Sequence, residues 1–155
     1  MSQQPVIYVD ADACPVKAEV LKIAGRAGVV STFVANSGLR PSRDPLIVNV
    51  VVPQGADVAD DWIVEHVTDR DIVITSDIPL AHRAVGKGAT VLGPTGRPFT
   101  PDSIGMALAM RDLKQTLREG GEITGYNAGF TQKDRARFTD ALAQAVQRAL
   151  KNTRA

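Results

Sequence analysis

The residues of this chain best suited to chemistry are aspartates at the ends of apolar runs. IYVDADACP sets Asp10 and Asp12 just past one run, DIVITSDIP sets Asp77 just past another, and GADVADDW puts Asp57, Asp60 and Asp61 at the mouth of an expected helix. Two carboxylates about 4 Å apart repel by about 1 kcal/mol in water and by about 4 kcal/mol at an effective dielectric of about 20, so gathering three or more calls for a compensating cation. Oxygen donors alone suit a hard cation, Mg2+ or Mn2+, that keeps several of its waters. Such a water is acidified enough to attack a phosphodiester, and a helix amino terminus helps to seat the phosphate.

The expected metal ligands are therefore Asp10, Asp57 and Asp77, with Asp12 and Asp61 as further catalytic acids and Asp60 as the outward-facing member. Ser76, or Thr75 beside it, is placed to position a water or a phosphate oxygen. Arg40 and Arg43 in NSGLRPSRDP, and Arg83 beside His82 just after Asp77, are candidate phosphate contacts, since a guanidinium grips phosphate bidentately. Plainer explanations exist for single residues. Acids in a first helical turn gain about 0.3 to 1 kcal/mol each from the macrodipole, Asp12 and Asp77 can cap helices, and surface arginines are commonly only solvated. None of these accounts for convergence.

The elements that must carry these residues alternate in period. VIYV, VVSTFVA, LIVNVVV, IVITS and ATVLG read as buried strands, and the stretches from Pro15 to Gly28, ADVADDWIVEHV and IPLAHRAVGK as helices between them. NSGLRPSRDP is too rich in turn residues for a helix. PDSIGMALAMRDLKQTLREG reads as a further helix, and after GGEITGYNAG a last one is capped by Thr131, with Phe138, Leu142 and Ala145 on one face. This order implies an α/β, three-layer, Rossmann-like fold with a mostly parallel five-stranded sheet and C-terminal helices, whose binding crevice lies where the strand order reverses. If the first and fourth strands are neighbours there, Asp10 and Asp77 meet.

Length and composition set the outer limits. The 155 residues suit one domain spanning 1–155, and 44% apolar content supports a core. Net charge is +1, yet the stretch from Thr131 to Ala155 holds six basic residues against two acids. One cysteine cannot form an internal disulfide, and MSQQPVIYVD has no secretory pattern, so a cytoplasmic location is expected. No apolar run approaches the roughly 18 residues of a membrane span. Aromatic residues make up only 5%, with Tyr126 and Phe130 in the glycine-rich loop, which argues against sequence-specific base readout. A homo-oligomer stays open.

The strings IYVDADACPVK, GADVADDWIVE, DIVITSDIPLA and GFTQKDRARF resemble those of the YaiI/YqxD family of uncharacterised bacterial proteins over nearly the whole chain. That family is similar to PIN and NYN ribonuclease domains, in which an Asp ends the first strand, further acids open a central helix and another Asp follows a strand containing Thr or Ser. Asp10, Asp57 and Asp77 match those positions, with Asp61 as a fourth. The resemblance implies a PIN-like fold and a Mg2+- or Mn2+-dependent endoribonuclease acting on single-stranded RNA. Asp12, Cys14 and Pro15 depart from the usual PIN pattern and leave room for other chemistry.

Two rival readings use the same residues. A haloacid-dehalogenase-like phosphatase would take Asp10 as nucleophile, Asp12 as general acid, Ser76 and Lys87, but it expects an acidic pair after the lysine, whereas Asp60 and Asp61 come before Ser76. A non-enzymatic module would bind nucleic acid or protein through the acids and the basic tail. Cys14 is better explained by packing than by nucleophilic chemistry, because Asp12 nearby disfavours its thiolate.

Overall fold

A computed structural model describes residues 4–55, 57–106, 109 and 130–153. Among them the strands are β1 (Val6–Asp10), β2 (Val30–Ala35), β3 (Ile47–Val51), β4 (Ile72–Ile74), β5 (Thr90–Leu92) and β6 (Pro98–Phe99). The helices are α1 (Lys17–Ala27), α2 (Val58–His66), α3 (Ile78–Gly86), residues 101–106 (α4) and α5 (Gln132–Thr153). The rest of the helix expected over 101–120, and the glycine-rich loop with Tyr126, lie outside the described residues.

One six-stranded sheet runs in the order β3-β2-β1-β4-β5-β6, parallel except for β6. The five expected strands are present, and the sixth is an addition. Pro98–Phe99 folds back antiparallel on β5 after a turn closed by Gly93 N–H donating to the Arg97 carbonyl at 2.9 Å. Two residues led by a proline carry no periodicity, and proline is tolerated there because the strand is at an edge. Gly96, with φ 86°, lets this turn abut α5, since a Cβ would stand 2.6 Å from the Arg137 carbonyl oxygen.

Side-chain alternation along each strand builds two cores, giving the three layers expected. Ile7 and Val9 of β1, Phe33 of β2 and Ile74 of β4 face α1 and α5, meeting Val20, Phe138 and Leu142. Tyr8, Val34 and Val73 face the other way, onto Ile63 of α2, Leu80 and Ala84 of α3, and Ile104. The inner strands β1, β2 and β4 are buried on both faces and read as continuous apolar runs, whereas β3 at the edge is apolar in sequence yet leaves Val48 and Val51 exposed.

Helix ends follow local chemistry. Cys14 is extended because it precedes Pro15, so α1 begins at Lys17, two residues later than expected, after a 3-10 turn at Ala11–Ala13. Gly28 ends α1 in the left-handed conformation, with Val29 N–H donating to the Ala24 carbonyl at 3.1 Å. At the start of α5, Thr131 Oγ1 accepts from Asp134 N–H and Asp134 Oδ2 accepts from Thr131 N–H, a reciprocal capping box.

The amino-terminal edge of the sheet is held by Asp71, 5% exposed. Its Oδ1 accepts from Val6 N–H at 2.9 Å, and its Oδ2 accepts from the Thr68 N–H at 2.8 Å and hydroxyl at 3.0 Å. One carboxylate thus ties the first residue of β1 to the turn before β4. Asp71→Ala strands these donors and is expected to lower stability by about 2 to 4 kcal/mol in urea unfolding, with an unchanged m-value. A loss below about 1 kcal/mol would show that the clamp is redundant.

Candidate functional site

β1 lies between β2 and β4, so the connections leaving the carboxyl ends of β1 and β4 diverge and open a crevice. Val9 is in register with Ile74, which brings the residues that follow both strands side by side. Asp10 pairs with Val34, whose side chain belongs to the α2 and α3 layer, and the same parity directs Asp10 to that face. α2 arrives there with its amino terminus. The result is a cleft of about 310 Å³ lined by Asp10, Asp12, Asp57, Asp60, Ser76 and Asp77 among others, with no lysine or arginine in its lining.

Thr75, 3% exposed, joins the two strand ends. Its hydroxyl donates to Asp10 Oδ2 at 3.0 Å and accepts from Asp77 N–H at 2.9 Å. Of the two adjacent hydroxyls, Thr75 therefore orients Asp10, while Ser76 lines the open cleft. Asp77 caps α3 by accepting from Leu80 N–H at 2.9 Å through Oδ1, so its capping and cleft-lining places are compatible. Asp10 Oδ1 and Asp77 Oδ2 have no hydrogen-bond partner among the described residues. Asp12 does not cap a helix; its Oδ2 accepts from Asn36 N–H at 3.3 Å. Asp57 caps α2 in the left-handed region, φ 66°, the only positive φ of a non-glycine residue among those described, and its side chain makes no capping hydrogen bond.

The expected roles of Asp60 and Asp61 are exchanged in space. Asp60 lines the cleft, whereas Asp61, exposed, pairs with Arg83 at 2.7 Å. Both partners of that pair are well exposed, so it contributes little to stability. The left-handed turn at Asp57 sets where the helix begins and hence which of two adjacent residues points inward, and a sequence does not display that phase. Arg83 is thus engaged with Asp61, and Arg40 and Arg43 do not line the cleft.

Burial, with like charge adding to it, raises two of the acids. Asp60 is pushed up to about 6, first by burial, then by Asp77, Asp10 and Asp57, with Arg83 opposing. Asp10 is also raised, chiefly by burial, with the Thr75 hydrogen bond opposing and Asp77 and Asp12 adding to the rise. The Cys14 thiol is raised by its burial, which agrees with a packing role. Lys87 donates to the Val64 carbonyl at 2.6 Å beyond the carboxyl end of α3 and does not line the cleft, so the Asp10, Asp12, Ser76 and Lys87 constellation of a phosphatase is not assembled.

Whether the cleft suits a metal turns on its donors. All are oxygens, and their mutual repulsion favours a cation. Among the described residues, however, no three Asp, Glu, His or Cys side chains stand close enough to hold an ion together, so the Asp10, Asp57 and Asp77 triad is not closed. The set fits a Mg2+-like ion that takes one or two carboxylates and keeps its waters, rather than a full protein cage.

Fold and cleft together define an α/β protein with an acidic crevice at its topological switch point. Residues 8–148 match the family described as "Uncharacterized BCR, YaiI/YqxD family", and the chain belongs to that family. It is 68% identical to UPF0178 protein mlr0875 of Mesorhizobium japonicum, over 96% of each chain. It is 61% identical to UPF0178 protein Atu1478 of Agrobacterium fabrum, over 97% of this chain and 99% of the relative. Identity to UPF0178 protein Rru_A0086 of Rhodospirillum rubrum is 51%, over 91% and 95%. No solved structure gives a significant match. No helix among the described residues is long and apolar enough to cross a membrane.

The raised Asp60 makes stability depend on pH with a definite sign. A carboxyl that ionises near 3.9 unfolded and near 6 folded costs stability as pH rises through that window. Asp60→Asn removes the cost. In chelator-treated protein, urea unfolding is expected to show the variant about 1 kcal/mol more stable than wild type at pH 8, after allowance for solvent screening, and equal to it near pH 4. A gain independent of pH would rule out the ionisation of Asp60 as its cause.

Proposed function

We propose that the cleft binds a divalent cation, Mg2+ or Mn2+, and that the protein is a metal-dependent nuclease hydrolysing phosphodiester bonds of RNA, with a single strand as its substrate. The observation that supports this reading is the gathering of Asp10, Asp57, Asp60 and Asp77 around one cleft with no lysine or arginine in its lining, a concentration of negative charge that favours an added cation. Asp10, oriented by Thr75, and Asp77, fixed by its capping bond, each present one free oxygen to the cleft. Asp60, whose proton affinity is raised toward neutrality, is suited to hold a proton on its carboxylate. Ser76 offers a hydroxyl to a phosphate oxygen or a water. A bound Mg2+ or Mn2+ supplies an acidified water and screens charge on the phosphate.

A second reading, a non-enzymatic module that binds nucleic acid or protein, draws support from the absence of three converging ligands among the described residues. Calorimetric titration with Mn2+ separates the two, followed by incubation of labelled single-stranded RNA with Mn2+. The nuclease reading expects wild-type binding weakened about tenfold or more in Asp10→Asn and Asp60→Asn, and strand scission that Asp10→Asn reduces to background. No heat at about millimolar Mn2+ with no scission would reject the nuclease. RNA retained uncleaved would favour the module.

A further inference from the structure

On the nuclease reading, the acidic cleft accounts for hydrolysis but not for retention of a polyanion. Its lining offers carboxylates and no cationic side chain, so phosphates are repelled there unless the strand is held by neighbouring surface. A second groove, about 420 Å³, lies on the other side of the sheet edge between α1 and the connection from β2 to β3. Its character is the reverse of the first. Leu21, Phe33, Leu39 and Ile47 give it apolar walls, Lys17 and Arg40 supply its charge, and no acid lines it.

We propose that this groove is a nucleotide subsite for single-stranded RNA, the base lying on the apolar walls and the flanking phosphates on Lys17 and Arg40. The inference rests on the nuclease reading for its substrate class, but binding there needs no metal. Three observations carry it. First, one loop serves both sites: Asn36 lines the cleft and gives its N–H to Asp12, while Gly38, Leu39 and Arg40 line the groove, so a strand crossing this loop reaches both. Second, the groove is formed in advance of any ligand, because Asn49 Nδ2 on β3 donates to the Arg40 carbonyl at 2.6 Å and pins the loop to the sheet edge. Third, the groove keeps features that folding alone does not use. Leu21 is 38% exposed, and neither Lys17 nor Arg40 has a side-chain hydrogen bond or ion pair among the described residues. Its size falls in the range of about 300 to 1,000 Å³ usual for small-ligand sites. Phe33, the one aromatic there, is buried at 3% exposure, so contact with the base is through aliphatic walls and carries little sequence preference.

Fluorescence anisotropy of a short fluorescein-labelled oligouridylate, measured in EDTA across a range of NaCl, tests this. Wild type is expected to bind, and Lys17→Glu/Arg40→Glu to bind about tenfold or more weakly, with the slope of log affinity against log salt reduced by about 1.4, as two lost phosphate contacts require. Lys22→Glu/Arg26→Glu, the same charge change at exposed positions of α1 outside the groove lining, is the control and is expected to bind as wild type. Lys17→Gln/Arg40→Gln, which is milder to the fold, should show an intermediate loss at an unchanged melting temperature. Equal affinity of wild type and the groove variants, equal loss in the control, or no wild-type binding would each overturn the subsite. So would a wild-type dimer in sedimentation that the groove substitutions dissociate, which would give the groove to a second copy. Groove-dependent binding without Mn2+ uptake or cleavage would instead reject the nuclease and leave the subsite standing.

Discussion

The parallel pairing of β1 with β4, two strands more than sixty residues apart in the chain, is the constraint on which the rest depends. With β2 on its other side, β1 becomes the axis about which the chain winds in two directions, and the gap above it is a result of connectivity rather than of any one side chain. Thr75 turns this backbone relation into side-chain geometry. Its buried hydroxyl, held between Asp10 and the Asp77 N–H, keeps the two acids from moving independently. A shift of one residue in the β1 to β4 register would turn Asp10 to the α1 layer and empty the cleft of its first carboxylate.

The two ends of the sheet treat the same residue type in opposite ways. Asp71 at the amino-terminal end is buried, and both its oxygens accept hydrogen bonds from the donors around it, which makes it a structural tie. At the carboxyl end, Asp10 and Asp60 are partly buried, crowded by like charge and raised above the usual carboxylate range. Donors convert the first into stability, whereas the second are left in want of a positive charge.

Much of this was legible in the chain because buried parallel strands are continuous apolar runs and because Gly28, Thr131 and Asp77 mark helix ends by their own chemistry. The acids at the ends of β1 and β4 were legible for the same reason, as charged residues that close apolar runs. Less visible were features set by relations in space. β6 has two residues and no pattern, Asp71 resembles any turn aspartate until its three donors are seen, and the choice between Asp60 and Asp61 depends on one unusual backbone angle. A second strand ending on the same sheet edge as the first would bring Arg40 and Arg43 beside the acids, but the loop after Asn36 carries Arg40 over the edge of the sheet to the other face.

The left-handed backbone of Asp57 narrows the substitutions open to that position. Apart from glycine, only asparagine and aspartate enter that region readily, while a β-branched side chain there would be a true outlier. A lineage could therefore discard the charge in one conservative step to asparagine and keep the α2 start intact, whereas most other replacements would disturb the helix and the cleft together. Position 57 is thus a natural place to look for relatives that have kept the fold while retuning the charge of the crevice.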